Sequence, residues 1–167
     1  MTNTAPSSCC PSGPRPEAEG RIKCPQCGQP GQPIATRTLK HMVQPESLET
    51  ATKPGFHFCR STDCDVVYFH SDGDCLRKSD VRVRVGMKET EDPVPLCYCF
   101  GFTEAMVREE IRATGRCTIP QRISAEVKAG NCACEIRNPQ GSCCLGNVTA
   151  AVKKAMKAMA QKSGVLA

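Results

Sequence analysis

The sequence predicts an α+β fold in which a small β-rich module is followed by a helical one. Three observations predict it. Fourteen cysteines occur in 167 residues, nearly all in close pairs. Short β-branched and aromatic runs fill the stretch up to about Val85, and helical periodicity takes over beyond Thr103. The pairs also divide along the same line. Cys24-Pro-Gln-Cys27 and Cys59-(x4)-Cys64 form one group; Cys97-Tyr98-Cys99, Cys132-Ala133-Cys134 and Cys143-Cys144 form another. Close pairs let a short backbone deliver several thiolates to one metal, so two sites are expected, one mononuclear and one iron–sulfur.

Residues 1–20, rich in Ser, Pro and Gly, read as a disordered leader containing Cys9-Cys10. That pair is either a tail feature without consequence or a mobile soft-metal ligand. Residues 21–86 read as a zinc-binding β-rich module. Phe56-His57-Phe58, Val66-Val67-Tyr68-Phe69 and the alternating Val81-Arg82-Val83-Arg84-Val85 are its predicted strands. The second cysteine clip lies between two of them, the arrangement of a zinc ribbon. Thr38 to Glu49 is a weaker segment, one helical turn after Ile34, which Pro45 keeps from extending. Residues 87–96, charged and with two prolines, read as a linker.

Residues 97–160 read as a helical module and 161–167 as a tail. Thr103 caps a helix running to about Ala113, with Gly115 just past its end. Pro120 opens a second, carrying Ile119, Ile123 and Val127, and Gly130 closes it. After a loop dense in Cys, Asn, Pro and Gly, a third runs from about Cys144 to Ala160. Val148, Ala151, Val152, Ala155, Met156 and Met159 form its apolar stripe.

Cys24, Cys27, Cys59 and Cys64 supply four soft ligands, and a four-cysteine Zn²⁺ site leaves no position for water, so this site is structural. His57 could replace one thiolate, although a packed or edge histidine fits a Phe-His-Phe strand better. Iron is compatible with the same tetrahedral donor set. A redox dithiol at Cys24 and Cys27 is disfavoured because no βαβ pattern surrounds it. In the second group Cys97 and Cys99 precede a helix, and two further thiolates must come from Cys132, Cys134, Cys143 and Cys144. Cys144 opens the third helix, where unpaired N–H groups favour a thiolate. Cys75 and Cys117 lack partners and read as free or core thiols.

Cys97-Tyr-Cys99-Phe-Gly-Phe-Thr, about 30 mostly helical residues, and then a cysteine-rich turn into a helix together resemble the bacterioferritin-associated ferredoxin (BFD-like) [2Fe–2S] domain. A wider pattern resembles the N-terminal metal-binding domain of CopZ-type copper chaperones. It is carried by Cys24-Pro-x-Cys27-Gly, Phe58-Cys59-(x4)-Cys64-Asp-Val-Val-Tyr-Phe69, Val83-Arg-Val85-Gly and the run from Asn131 to Gly146, and it covers about residues 21–158. That resemblance implies zinc in the first half and [2Fe–2S] in the second. The simpler BFD-like pattern separates its third and fourth ligands by two residues, whereas the candidates here are about ten apart. Cys134 with Cys144 is the preferred pair, leaving Asn138-Pro-Gln-Gly141 as a loop around the cluster; Cys132 and Cys143 remain alternatives. Such chaperones also carry a C-terminal heavy-metal-associated domain, which is not expected within these 167 residues.

A disulfide scaffold is the competing reading of so many cysteines. It is opposed by an N-terminus without an export pattern, by spacings too short for easy bridging, and by metal-ligand periodicity. A reducing, cytoplasmic setting follows, and no apolar run approaches the roughly 20 residues of a membrane span. The formal charge of +5 lies wholly in the C-terminal part: residues 97–167 hold ten Lys/Arg against five Asp/Glu. Metal-bound thiolates would offset it, which weakens a nucleic-acid-binding zinc ribbon using Arg82, Arg84 and the C-terminal lysines. No nucleophile–base pair or open metal site indicates an enzyme. The expected function is therefore that of an accessory protein of soft-metal homeostasis, with copper as the cargo the resemblance implies. The cluster could reduce Cu²⁺, and Cys9, Cys10, Cys132 and Cys143 could hold Cu⁺ transiently. A copper-transporting ATPase or a redox protein is the expected partner; a generic electron carrier or redox sensor is the alternative.

Overall fold

The computed structural model of the chain describes residues 22–164. The expected leader with Cys9-Cys10, and residues 165–167 of the expected tail, lie outside the described residues. The architecture is mixed, with two small antiparallel sheets and five α-helices among the described residues.

The first sheet has the order β1 (Gln32–Pro33), β2 (His57–Phe58), β3 (Val66–Phe69), β4 (Cys75–Arg77). β3 is buried along its whole length, which suits its unbroken Val-Val-Tyr-Phe run. A bulge between Val66 and Tyr68 interrupts its alternation against β4. Val67 and Tyr68 thereby join the main core with Leu39, Val43, Phe56 and Phe58, while Val66 and Phe69 pack against the thiols of Cys24, Cys59 and Cys64. Helix α1 (Thr36–Met42) covers this core with Leu39 and Met42, and Pro45 opens a separate 3₁₀ turn, Pro45–Ser47.

The alternating run Val81–Val85 is not a strand. Only a single bridge, Val81 to Val43, forms there, although Val81 and Val85 are buried. One-sided burial produces the same alternation in any extended segment. Here the arginines take up carbonyls that would otherwise need a ladder: Arg82 donates to the Val43 carbonyl, and Arg84 to those of Glu91 and Pro93.

The second sheet is a hairpin of β5 (Pro95–Cys97) and β6 (Phe102–Thr103). Helix α2 (Glu104–Thr114) follows, capped by the Thr103 side chain, which accepts from the Met106 N–H. Gly115, at φ +72°, ends it in the left-handed conformation that glycine adopts without strain. Helix α3 (Ile119–Lys128) has Pro120 in its first turn, and α5 (Leu145–Gly164) runs four residues past the Ala160 end read from the sequence. Val107, Ile111, Ile119, Ile123 and Val148 form the core between these three helices. The one-turn helix α4 (Cys134–Arg137) was not expected; it sits in the loop between α3 and α5.

Residues 87–96, read as a linker, include the end of a 3₁₀ turn (Gly86–Lys88), buried Lys88 and Val94, and the start of β5. The halves also touch directly. α1 packs on α4, Arg37 pairs with Glu135 at 3.3 Å, and the buried Tyr68 hydroxyl donates to the Pro139 carbonyl at 2.7 Å. No helix among the described residues is long and apolar enough to cross a membrane.

Candidate metal centres

Two backbone turns build the first centre. At residues 24–29 the Gly28 N–H donates to the Cys24 carbonyl and the Cys24 N–H to the Gln29 carbonyl, closing a tight loop that Gly28 permits at φ +71°. Cys59 directly follows β2 and Cys64 stands two residues before β3, so the connection between these strands returns both thiols to the same place. The thiols of Cys24, Cys27, Cys59 and Cys64 all lie within 4.8 Å of one another, with Cys24 to Cys64 at 3.9 Å and Cys27 to Cys59 at 3.6 Å. Three are buried and Cys27 is half-buried.

Burial pushes the Cys59 thiol up to about 12 and Cys64 upward as well. At Cys27 burial acts in the same upward sense, but the Gln29 backbone N–H and the neighbouring thiols overcome it and bring the group to about 7. A set of thiols crowded around one point, two of them pushed up by burial, is what a divalent cation relieves. The arrangement suits one tetrahedral soft ion and leaves no side for water, which fits zinc in a structural role.

The sequence reading missed Lys88. Its side chain is buried, and its ammonium donates to the carbonyls of Ser61 at 2.6 Å and Cys64 at 3.0 Å, on the loop that carries Cys64. Its positive charge favours the ionised form of Cys59. Nothing in Met-Lys-Glu-Thr-Glu-Asp distinguishes this lysine from a solvated one. His57 is not part of the set. Its Nδ1 lies 3.0 Å from the Gly55 carbonyl and its ring stacks on Phe69. Cys75 packs beside the centre without joining the converging four.

The second group has a different shape. Cys97 ends β5, Cys99 lies in the hairpin turn, Cys134 opens α4, and Cys144 immediately precedes α5, where its carbonyl accepts the Val148 N–H. The thiols form a row. Cys144 hydrogen-bonds to both Cys97 and Cys134, and Cys134 lies 3.7 Å from Cys99. The Ala133 N–H points at the Cys99 sulfur at 3.3 Å. The Cys144 thiol hydrogen bond brings Cys97 down to about 7 and Cys134 to about 5. Cys144 itself is raised by the same two partners, and Cys99 is raised to about 11 by burial. Alternate members of the row thus ionise readily.

All four preferred residues of the second group meet in this row. Of the alternatives, Cys132 hydrogen-bonds to Cys134, and Cys143 is exposed beside the buried Cys144. Cys117 donates to the Glu110 carboxylate in the turn between α2 and α3.

A family described as zinc binding domain, zf_CopZ, matches residues 21–82. The protein named copper chaperone CopZ of Archaeoglobus fulgidus is 34% identical to the chain over 143 residues, a match covering 81% of this chain and 67% of the relative. The X-ray structure of the N-terminal domain of Archaeoglobus fulgidus CopZ superposes with a TM-score of 0.63 at 32% identity, covering 74% of this chain and 92% of that one. With its four-thiol centre inside the matched zinc-binding region, the chain belongs to the CopZ copper-chaperone family.

Proposed function

We propose that the chain is a cytoplasmic accessory protein of copper homeostasis that holds zinc on Cys24, Cys27, Cys59 and Cys64 and a [2Fe–2S] cluster on Cys97, Cys99, Cys134 and Cys144. The row geometry of the second group carries the reading. A [2Fe–2S] core takes two thiolates on each of two irons, so its donors form an elongated set, unlike the single point required by one ion. The donor chemistry fits: four thiols, with Cys97 and Cys134 inclined to ionise. Cys99 lies beside Cys134, and Cys144 beside both Cys134 and Cys97, so these four would hold the group together.

When bound there, such a group supplies one-electron redox chemistry, by which Cu²⁺ would gain one electron and become Cu⁺. The residues of the chain do the rest. Leu96, Val107 and Val148 pack around the buried sulfurs of Cys97 and Cys144 and keep water from them. Exposed Cys143 and half-buried Cys132 stand next to the row as soft donors for Cu⁺, which prefers thiolates. The zinc half serves as scaffold. A copper transporter or a redox protein that reloads the electron is the partner this role requires.

The test is anaerobic mixing of the reduced full-length protein with Cu²⁺. The reduced-cluster EPR signal should disappear as one equivalent of protein-bound Cu⁺ forms, and Cys132→Ser with Cys143→Ser should release that Cu⁺ without altering the cluster spectrum. A signal that persists beside Cu²⁺ removes the reductive role.

A further inference from the structure

Two tyrosine hydroxyls tie the scaffold of the first centre to the ligand loops of the second. Tyr68 belongs to β3, is fully buried, and meets Phe58 of β2 edge-on at 5.9 Å. These two strands also present Cys59 and Cys64. Its hydroxyl bonds the Pro139 carbonyl, in the middle of the turn between α4 and α5. That turn is closed on itself. The Asn138 N–H donates to the Cys134 carbonyl, the Gly141 N–H to the Asn138 carbonyl, and the Asn138 side-chain amide to the Ser142 carbonyl. Fixing Pro139 therefore fixes a unit with Cys134 at one end and Cys144 just beyond the other.

Tyr98 stands between Cys97 and Cys99. Its hydroxyl accepts from the Gly86 N–H at 2.8 Å and donates to the Arg84 carbonyl at 2.9 Å. Gly86 opens the 3₁₀ turn that ends at Lys88, whose ammonium is anchored on the Ser61 and Cys64 carbonyls beside the first centre. The apolar packing of the first half and around its thiols comes from residues 22–87, with Lys88 added from the adjoining turn, and both ligand loops of the second row lean on that half.

We infer that the zinc centre is the template on which the second centre is assembled, with Tyr68 the positioning residue for Cys134 and Cys144, and Tyr98 the positioning residue for Cys97 and Cys99. The inference rests on the [2Fe–2S] reading for its cluster readout but not for its thiol readout.

The experiment uses full-length, zinc-loaded, cluster-free protein and follows iodoacetamide labelling of each cysteine by mass spectrometry. Losing one buried hydrogen bond should speed labelling about fivefold at the dependent pair. Tyr68→Phe should do so at Cys134 and Cys144 and leave Cys97 and Cys99 near the wild-type rate; Tyr98→Phe should show the reverse. Both variants should retain zinc. Uniform acceleration at all four thiols, or none, overturns the assignment, since a general loss of stability would not discriminate between the pairs. In the second arm iron and sulfide are supplied anaerobically. Cys24→Ser should fail to develop the visible bands while Cys144→Ser keeps its zinc; full cluster loading in Cys24→Ser overturns the template. If the wild type itself takes up no cluster but the labelling is pair-selective, the [2Fe–2S] reading fails and the positioning roles stand.

Discussion

Both halves of the molecule offer four cysteines as soft donors, yet they arrange them in opposite ways. In the β-rich half, two turns double back on the sheet and their thiols meet at one point, within 4.8 Å of one another. In the helical half, a hairpin and two helix starts leave the thiols in a row, from Cys97 through Cys144 and Cys134 to Cys99. The chemistry of the ligands is the same, so the backbone decides what they can hold. The β5–β6 hairpin supplies the two ends of the row, and the starts of α4 and α5 supply its middle.

The sharpest way to break the comparison is to remove one donor from the converging set. Binding free energy at a structural zinc site is folding free energy, on the order of 10 kcal/mol. Cys59→Ser should therefore lose zinc and leave the N-terminal half susceptible to proteolysis, read by metal analysis and limited trypsin digestion. In the row, Cys134→Ser should abolish visible charge-transfer absorption while zinc stays bound. Cys132→Ser should keep that absorption. Absorption retained in Cys134→Ser and lost in Cys132→Ser would move the ligand two residues upstream.

The junction between the halves gives a smaller effect. A Cβ on Gly86 would stand 1.8 Å from the Pro95 carbonyl oxygen, a backbone atom that can move only with β5. Gly86→Ala should cost about 1–3 kcal/mol and, in thermal unfolding followed by circular dichroism, separate the melting of the two halves. Smallest is the effect at Glu110, whose carboxylate accepts from the Thr118 hydroxyl and N–H at the start of α3 and is held below its ordinary range by those bonds. A depressed carboxylate contributes stability above its unfolded value and loses it as pH falls through the folded one. Denaturant titrations should therefore show Glu110→Gln to be less stable at neutral pH, by about 0.5 kcal/mol given solvent screening, and equal to wild type in acid.

The helical half was the more legible in sequence. Thr103, Gly115, Pro120 and Gly130 mark helix ends through local backbone chemistry, and the structure puts α2 and α3 between them. Cys24 with Cys27 and Cys59 with Cys64 were legible as two clips because each is local in sequence, and the fold brings their four thiols within 4.8 Å of one another. What escaped depends on contacts distant in sequence. The alternation at Val81–Val85 shows burial on one side but not whether a partner strand exists. Lys88 sits in a run of charges and is buried only because the loop carrying Cys64 folds over it. The turn around Asn138 reads as a loop, and its docking to Tyr68 spans 71 residues of chain.

The central claim is that the two thiol sets hold different metals. The direct measurement is zinc, iron and acid-labile sulfide analysis of the full-length protein purified anaerobically, with EPR after reduction. The account predicts about one zinc, two irons and two sulfides per chain with the signal of a reduced [2Fe–2S] centre. Zinc in both sets, with neither labile sulfide nor an EPR signal, would contradict it.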